Sequence, residues 1–288
     1  MALNIDRFKS CDICPRNCRV NRIAGQKGFC QAPKNLIAYT SFLHQGEEPV
    51  VSKGKGSGAI FFSGCSLRCA YCQNYKFSHT SKGNVLGEGE LAQIMLNLQS
   101  REAANINLVT PTHFLPQILN ALSIAQDNGL TIPIVYNTSG YEKKEVIEQL
   151  RGIVDIYLTD MKYMNPQTAQ KYSQAPDYPE VCQESVKEMY KQIKEALIIR
   201  CLVLPNHLEE SRQILSWIKE NTPQAQLSLM SQYQPYFKAN LFPEINRSVN
   251  RLEYSQIKAF AEELGLNGYI QDFTPEESLS GRYFKPNI

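Results

Sequence analysis

The chain has 288 residues, 43% of them hydrophobic, with a net charge of +2 and a pI near 8. That length fits one barrel-sized domain with a small appendage, and the balanced charge gives no pull toward nucleic acid or an anionic membrane surface. No run approaches the roughly 20 apolar residues of a membrane span, and the first six residues do not read as an export signal, so a cytoplasmic protein is expected. Nine cysteines in a reducing compartment argue for metal ligation over disulfides.

Four of these open the chain: Cys11, Cys14, Cys18 and Cys30, at C-x2-C-x3-C-x11-C. The stretch has little apolar periodicity and cannot bury a core of its own, so a metal is its expected staple. Four thiolates can close a tetrahedral zinc or ligate every iron of a four-iron cluster. The spacing matches neither a ferredoxin run nor a zinc ribbon, so both readings stand, and reduced cysteines without metal are the third. Arg16, Arg19, Arg22, Lys27 and Lys34 make this end locally basic and read as a solvated face. We take residues 1–45 as a Cys-rich metal-binding segment and 46–288 as the main domain.

Residues 32–51 read as an irregular connector or short strands, with Leu36 to Tyr39 and Pro49 to Val51 as ordered pieces. The glycine run Gly54-Lys55-Gly56-Ser57-Gly58 lacks the spacing of a phosphate loop and precedes a strand instead of following one, so it reads as a turn.

Apolar runs then alternate with amphipathic segments, the pattern of a parallel sheet wrapped by helices. The expected strands are 59–62, 106–109, 132–136, 153–158, 197–204 and 227–230. The expected helices are 90–98, 116–126, 142–150, 179–194, 209–219 and 251–264. Six such units with right-handed crossovers predict an α/β fold, a partial (β/α)6 TIM-like barrel.

Directly after the first strand, Cys65-Ser66-Leu67-Arg68-Cys69-Ala70-Tyr71-Cys72 packs three thiols into eight residues. C-x3-C-x2-C can hold three irons of a cubane and leave the fourth open to substrate. Buried free thiols or a zinc knuckle are the alternatives, but zinc favours paired C-x2-C units with a fourth ligand. Cys182 and Cys201 stand apart and read as small buried hydrophobes.

Working residues of such barrels sit beyond the C-terminal strand ends. Those ends offer Thr110 and Thr112, Asn137 and Thr138, Asp160 and Lys162, Arg200, and Gln232. Asp160 and Lys162 share a strand face and can pair with each other. Arg200 would be a costly charge inside an apolar run, so it needs a partner such as a bound carboxylate or Asp160. His113, opening a helix, is read as structural more readily than as a general acid.

Tyr71 gives the cysteine loop the form C-x3-C-x-aromatic-C, which resembles the signature of the radical S-adenosylmethionine (SAM) superfamily. Phe61-Phe62-Ser63-Gly64-Cys65, Thr110-Pro111-Thr112-His113, Tyr157 to Tyr163 and Leu202-Val203-Leu204-Pro205, with the N-terminal four-cysteine motif, resemble a pyruvate formate-lyase activating enzyme-related subgroup. The resemblance implies a [4Fe-4S] cluster on Cys65, Cys69 and Cys72, whose open iron chelates the amino and carboxylate groups of SAM. It implies one-electron cleavage of SAM to a 5'-deoxyadenosyl radical. Tyr71 would then line the adenine pocket, and Thr110, Thr112, Asn137, Thr138, Asp160, Lys162, Arg200 and Gln232 would position SAM, with Arg200 also an active-site arginine. Many relatives carry Gly-Gly-Glu after the second strand, and this chain has Thr110-Pro111-Thr112. The implied partners are SAM, a reductant such as flavodoxin or ferredoxin, and a substrate protein or small molecule. Activation of a glycyl-radical-type protein is one expectation. Modification of a small molecule or peptide is its alternative, and an iron-sulfur electron-transfer or carrier protein is the rival from another class.

Overall fold

The computed structural model describes residues 3–273 and 284–286. In chain order the elements are β1 (Leu36–His44), β2 (Ser57–Phe62), α1 (Tyr75–Ser78), β3 (Asn84–Leu86), α2 (Glu88–Ser100), β4 (Ile106–Val109) and α3 (Leu115–Asp127). There follow β5 (Ile134–Thr138), α4 (Lys144–Glu148), β6 (Ile156–Asp160), α5 (Pro166–Ser173), α6 (Tyr178–Ile193), β7 (Leu197–Leu202) and α7 (Leu208–Asn221). The chain continues through β8 (Gln226–Met230), α8 (Arg251–Glu263), β9 (Gly268–Gln271) and β10 (Phe284–Pro286).

The strands form one open sheet in the order β10-β9-β8-β7-β6-β5-β4-β2-β1-β3. Every neighbouring pair from β2 to β9 is parallel. This is the expected α/β architecture of a partial TIM-like barrel, with β9 as a seventh parallel strand and antiparallel β1 flanking β2. The apolar runs form strands because alternate residues bury on two sides. Ile106, Leu108, Ile134, Tyr136, Tyr157, Ile199, Cys201 and Leu229 join the helix-facing cores. Val135, Leu158, Ile198 and Tyr269 instead pack with Val51 on the concave face.

The third, fourth and fifth strands differ from their expected bounds, and each difference moves polar residues. The third strand begins at Ile134, after Pro133, and runs on through Asn137 and Thr138. The fourth begins at Ile156, because Ile153 belongs to the turn closing α4, its N–H bonded to Leu150 O. That strand therefore carries Asp160 as its last residue. The fifth strand stops at Leu202, before the turn at Leu204, Pro205 and Asn206.

The connector is also more than irregular chain. β1 extends to His44, the glycine run turns with Gly56 N–H bonded to Lys53 O, and the segment between them enters the barrel. Glu48 and Val51 have no exposed surface and Glu47 has 7%.

Candidate functional site

The cysteine loop begins where β2 ends. Gly64 adopts φ +89°, a conformation that suits glycine, and a Cβ there would lie 2.6 Å from Cys30 O. The N-terminal cysteine segment is thus packed against the residue preceding Cys65.

The loop is held by the C-terminus of α5. Asn165 caps that helix with its side chain and Pro166 occupies its first turn. Gln174 ends it in the left-handed conformation at φ +53°, which leaves carbonyls that need donors. Ala70 N–H donates to Tyr172 O (2.7 Å) and Arg68 N–H to Ser173 O (3.2 Å). Arg16 reaches over from the N-terminal segment, donating through Nε to Ser66 O (2.7 Å), Nη1 to Gln174 O (2.5 Å) and Nη2 to Ser173 O (3.3 Å). Its guanidinium stacks on Phe29, 3.7 Å from the ring centre.

Each of the three loop thiols has a polar hydrogen beside it. Leu67 N–H points at Cys65 Sγ (3.4 Å), the Ser173 hydroxyl donates to Cys69 Sγ (3.1 Å), and the Ser78 hydroxyl lies 3.2 Å from Cys72 Sγ. Burial, then the neighbouring thiols, pushes Cys65 up to about 12 and Cys72 up to about 11. The ammonium of Lys162 acts on Cys65 and Cys72 in the opposite, charge-stabilising sense.

Lys162 itself pairs with Asp160 (Nζ to Oδ2, 2.6 Å). Burial would depress its pKa, but the Asp160 carboxylate and Cys69 more than offset this, so the lysine stays charged. Three thiols receiving N–H or O–H bonds beside a cation suit a cluster of anionic sulfurs better than a bundle of inert thiols.

The N-terminal four come together as well. Cys14 is raised by burial and then by Cys30 and Cys11; Cys30 is raised by burial and also feels Cys11 and Cys18. Among the described residues no three His, Cys, Asp or Glu side chains converge as ligands of one metal ion. A single zinc draws its sulfurs to about 2.3 Å from one centre, whereas a cubane distributes its cysteines over separate irons.

The expected solvated face is only partly solvated. Arg22 is 1% exposed, stacked 3.6 Å over Phe8 and donating to His113 O (2.6 Å) and Pro33 O (2.6 Å). Together with Arg16 it fastens the cysteine segment to the barrel, beside a small apolar cluster of Phe8, Cys11 and Ile13 that the segment buries itself. His113 is buried; its Nε2–H donates to Ser63 O (2.7 Å), bracing the strand end before Gly64. Burial and then nearby Arg22, outweighing the Ser63 bond, push it down to about 3, so it is neutral and structural.

Arg200 lies on the concave face, and the side chains it bonds are Glu48 and Glu47, with the Asp160 charge acting on it through space. Nε and Nη2 fork onto Glu48 (2.7 Å each), and Nη2 also contacts Glu47. Glu47 accepts from Asn107 (3.0 Å) and Asn137 (3.4 Å). Glu47 and Glu48 were not singled out in the sequence. The signal available was an unpaired arginine in an apolar strand, which says that an acid exists but not where.

Thr112 and Thr138 do not join Asn137 on that face. Strand alternation turns Thr138 toward the helices, where both threonine hydroxyls donate to Glu142 Oε1 (2.6 and 2.5 Å). Thr110 is held at φ +58° by its N–H bond to Asn137 O (2.9 Å), a strained state for a β-branched residue. Gln232 accepts from Gln271 (3.1 Å). The hydroxyl of Tyr71 meets that of Tyr163 at 2.7 Å, with its ring edge-on to Tyr233. Cys182 and Cys201 are fully buried.

Glu142 is 1% exposed and its Oε2 has no hydrogen-bond partner. Burial raises its pKa to about 7, against hydroxyl bonds that lower it. The unfolded carboxyl titrates near 4.5, so the folded state holds the proton more tightly. Stability from this group is complete below pH 4.5 and is lost as pH rises to about 7. Glu142→Gln should remove that loss, about 3 kcal/mol, and flatten urea-unfolding stability between pH 4.5 and 7.

The Radical SAM superfamily model matches residues 59–218, more than half of the chain. The chain is also similar to the uncharacterized protein MJ0674 of Methanocaldococcus jannaschii, at 34% identity over 271 residues, which covers 90% of this chain and 76% of that protein. The matched span begins in β2 and contains the three-cysteine loop. The chain belongs to the radical SAM superfamily, whose members carry a [4Fe-4S] cluster and use SAM.

Proposed function

We propose that Cys65, Cys69 and Cys72 ligate the catalytic [4Fe-4S] cluster and that SAM lies across the C-terminal strand ends facing it. The observation that carries this is the gathering of three hydrogen-bonded thiols under the Lys162 ammonium at the end of β2. When bound, the cluster supplies one electron from an external low-potential donor such as flavodoxin or ferredoxin, and the SAM sulfonium is cleaved to methionine and a 5'-deoxyadenosyl radical.

The chain's own residues orient and shield. Lys162 is the cation available to the SAM carboxylate, while Asp160 keeps that lysine charged and aimed. Asn137 and Thr110 present amide and hydroxyl groups at adjacent strand ends, Gln232 does so from the other side, and Tyr71 walls the adenine side. Arg200 acts from below, fixing Glu47 and through it Asn137. Thr112 and Thr138 brace Glu142 instead of SAM.

The target that the motif resemblance favours is a glycyl-radical-type protein, with a hydrogen atom abstracted from a glycine. A small molecule or peptide is the second reading. Cys11, Cys14, Cys18 and Cys30, in the 1–45 segment, would hold a second [4Fe-4S] cluster, with zinc as the alternative, because the four thiols lie near enough to influence one another.

Anaerobic metal and sulfide analysis tests the assignment. The chain should bind about eight iron and eight sulfide per molecule, falling to about four of each when the N-terminal cysteines are replaced by alanine. One zinc per chain would reassign the N-terminal site, and absence of iron from the alanine variant would refute the catalytic cluster.

A further inference from the structure

The three loop thiols differ in what stands behind their hydrogen-bond donors. Cys65 receives a backbone N–H and Cys72 a lone serine hydroxyl. Behind Cys69 the bonding continues. Ser173 Oγ lies 2.8 Å from the Tyr163 hydroxyl, which lies 2.7 Å from the Tyr71 hydroxyl. Ser173 and Tyr163 have no exposed surface, Tyr71 has 7% and Cys69 has 9%.

The direction of this chain follows from its end. An iron-bound cysteine is a thiolate and can only accept, so the single Ser173 proton goes to sulfur. The bond between Ser173 and Tyr163 must then use the tyrosine proton, and Tyr163, its proton spent, accepts from Tyr71. All three hydroxyl dipoles point at Cys69. Ser173 also grips the same loop through its carbonyl, which takes Arg68 N–H and Arg16 Nη2. Tyr163 is fixed edge-on against Tyr178, with ring centres 5.4 Å apart.

We propose that Tyr71, Tyr163 and Ser173 form a one-way hydroxyl chain that stabilises negative charge on the Cys69 sulfur and so raises the midpoint potential of the cluster it ligates. The inference rests on the radical SAM reading above. Reduction adds one negative charge, donors to ligand sulfur favour the reduced state, and aligned hydrogen bonds in a buried site reinforce one another. Tyr71 then has a use beyond its ring: it supplies the first proton of the chain. These three are positioning residues, since they act through Cys69.

The test is a redox titration followed by electron paramagnetic resonance, reading the signal that changes when SAM is added, because only a cluster with an open iron responds. Ser173→Ala should lower the midpoint potential, making the reduced state about tenfold less favoured, which is about 59 mV for a one-electron couple. Tyr163→Phe should lower it by less, and Tyr71→Phe by less again. Ser173→Thr, which keeps the hydroxyl, should return most of the shift. Tyr157→Phe, which removes a tyrosine hydroxyl bonded to Gln192 (2.8 Å) away from the loop, should leave the potential unchanged.

If Ser173→Ala loses iron, Tyr163→Phe carries the test, because it leaves every ligand and Ser173 in place. Unshifted or raised potentials in Ser173→Ala and Tyr163→Phe, with the SAM-responsive signal intact, overturn the hydroxyl chain and leave the enzyme reading standing. A wild-type protein with no SAM-responsive signal overturns both.

Discussion

Cys69→Ala is expected to abolish SAM cleavage while leaving the barrel folded. The central thiol of the three is 9% exposed and sits at the edge of the main core, so its removal costs little packing. It does remove the ligand on which the Ser173 hydroxyl converges, and a cubane held by two cysteines has lost a third of its protein ligands. No 5'-deoxyadenosine should form above background, with the circular dichroism spectrum unchanged. Cys201→Ala, on the helix side of β7, should leave cleavage intact, since that thiol packs against the helix layer. Equal loss in both variants would mean that thiol oxidation or misfolding, not cluster ligation, explains the first result.

The largest stability effect is expected at Arg200. Arg200→Met leaves Glu48, with no exposed surface, and Glu47, with 7%, as neighbouring acids without their cation. Stranding a buried charge costs about 3–5 kcal/mol, whereas replacing the whole group by apolar residues can be close to neutral. The loss in Arg200→Met should therefore be recovered in large part by adding Glu48→Met and Glu47→Gln, measured by urea denaturation of the single and combined variants. Additive losses would show that Arg200 contributes by packing and not by neutralising Glu48.

The same residue shows what was legible in the chain and what was not. β2, β4, β7 and β8 could be placed because each is a short apolar run, and α3 because its apolar residues recur at helical spacing. Cys65, Cys69 and Cys72 could be found because metal chemistry imposes a local spacing. The partner of Arg200 could not, since Glu48 lies 152 positions away and nothing in the intervening sequence marks the contact. The Asp160–Lys162 pair could, since residues two apart in the chain meet through local geometry alone.

α5 is an instructive case between these. It is short and polar, so hydrophobic periodicity passes over it, yet Asn165-Pro166 is an N-cap followed by proline in the first turn. Reading that signal would have placed a helix end near the cysteine loop. Ser173 and Tyr163 as donors behind Cys69 were beyond reach, because their roles arise only when that helix end docks. Thr138 lies inside β5, two residues beyond the end expected from the apolar run, and alternation there turns it outward, away from Asn137.

The most direct test of the account is reductive SAM cleavage by the anaerobically reconstituted chain. With dithionite as electron donor, the protein should convert SAM to 5'-deoxyadenosine and methionine, and SAM should change the electron paramagnetic resonance signal of the reduced cluster. An iron-loaded, reduced protein that neither changes its signal with SAM nor releases 5'-deoxyadenosine would contradict it.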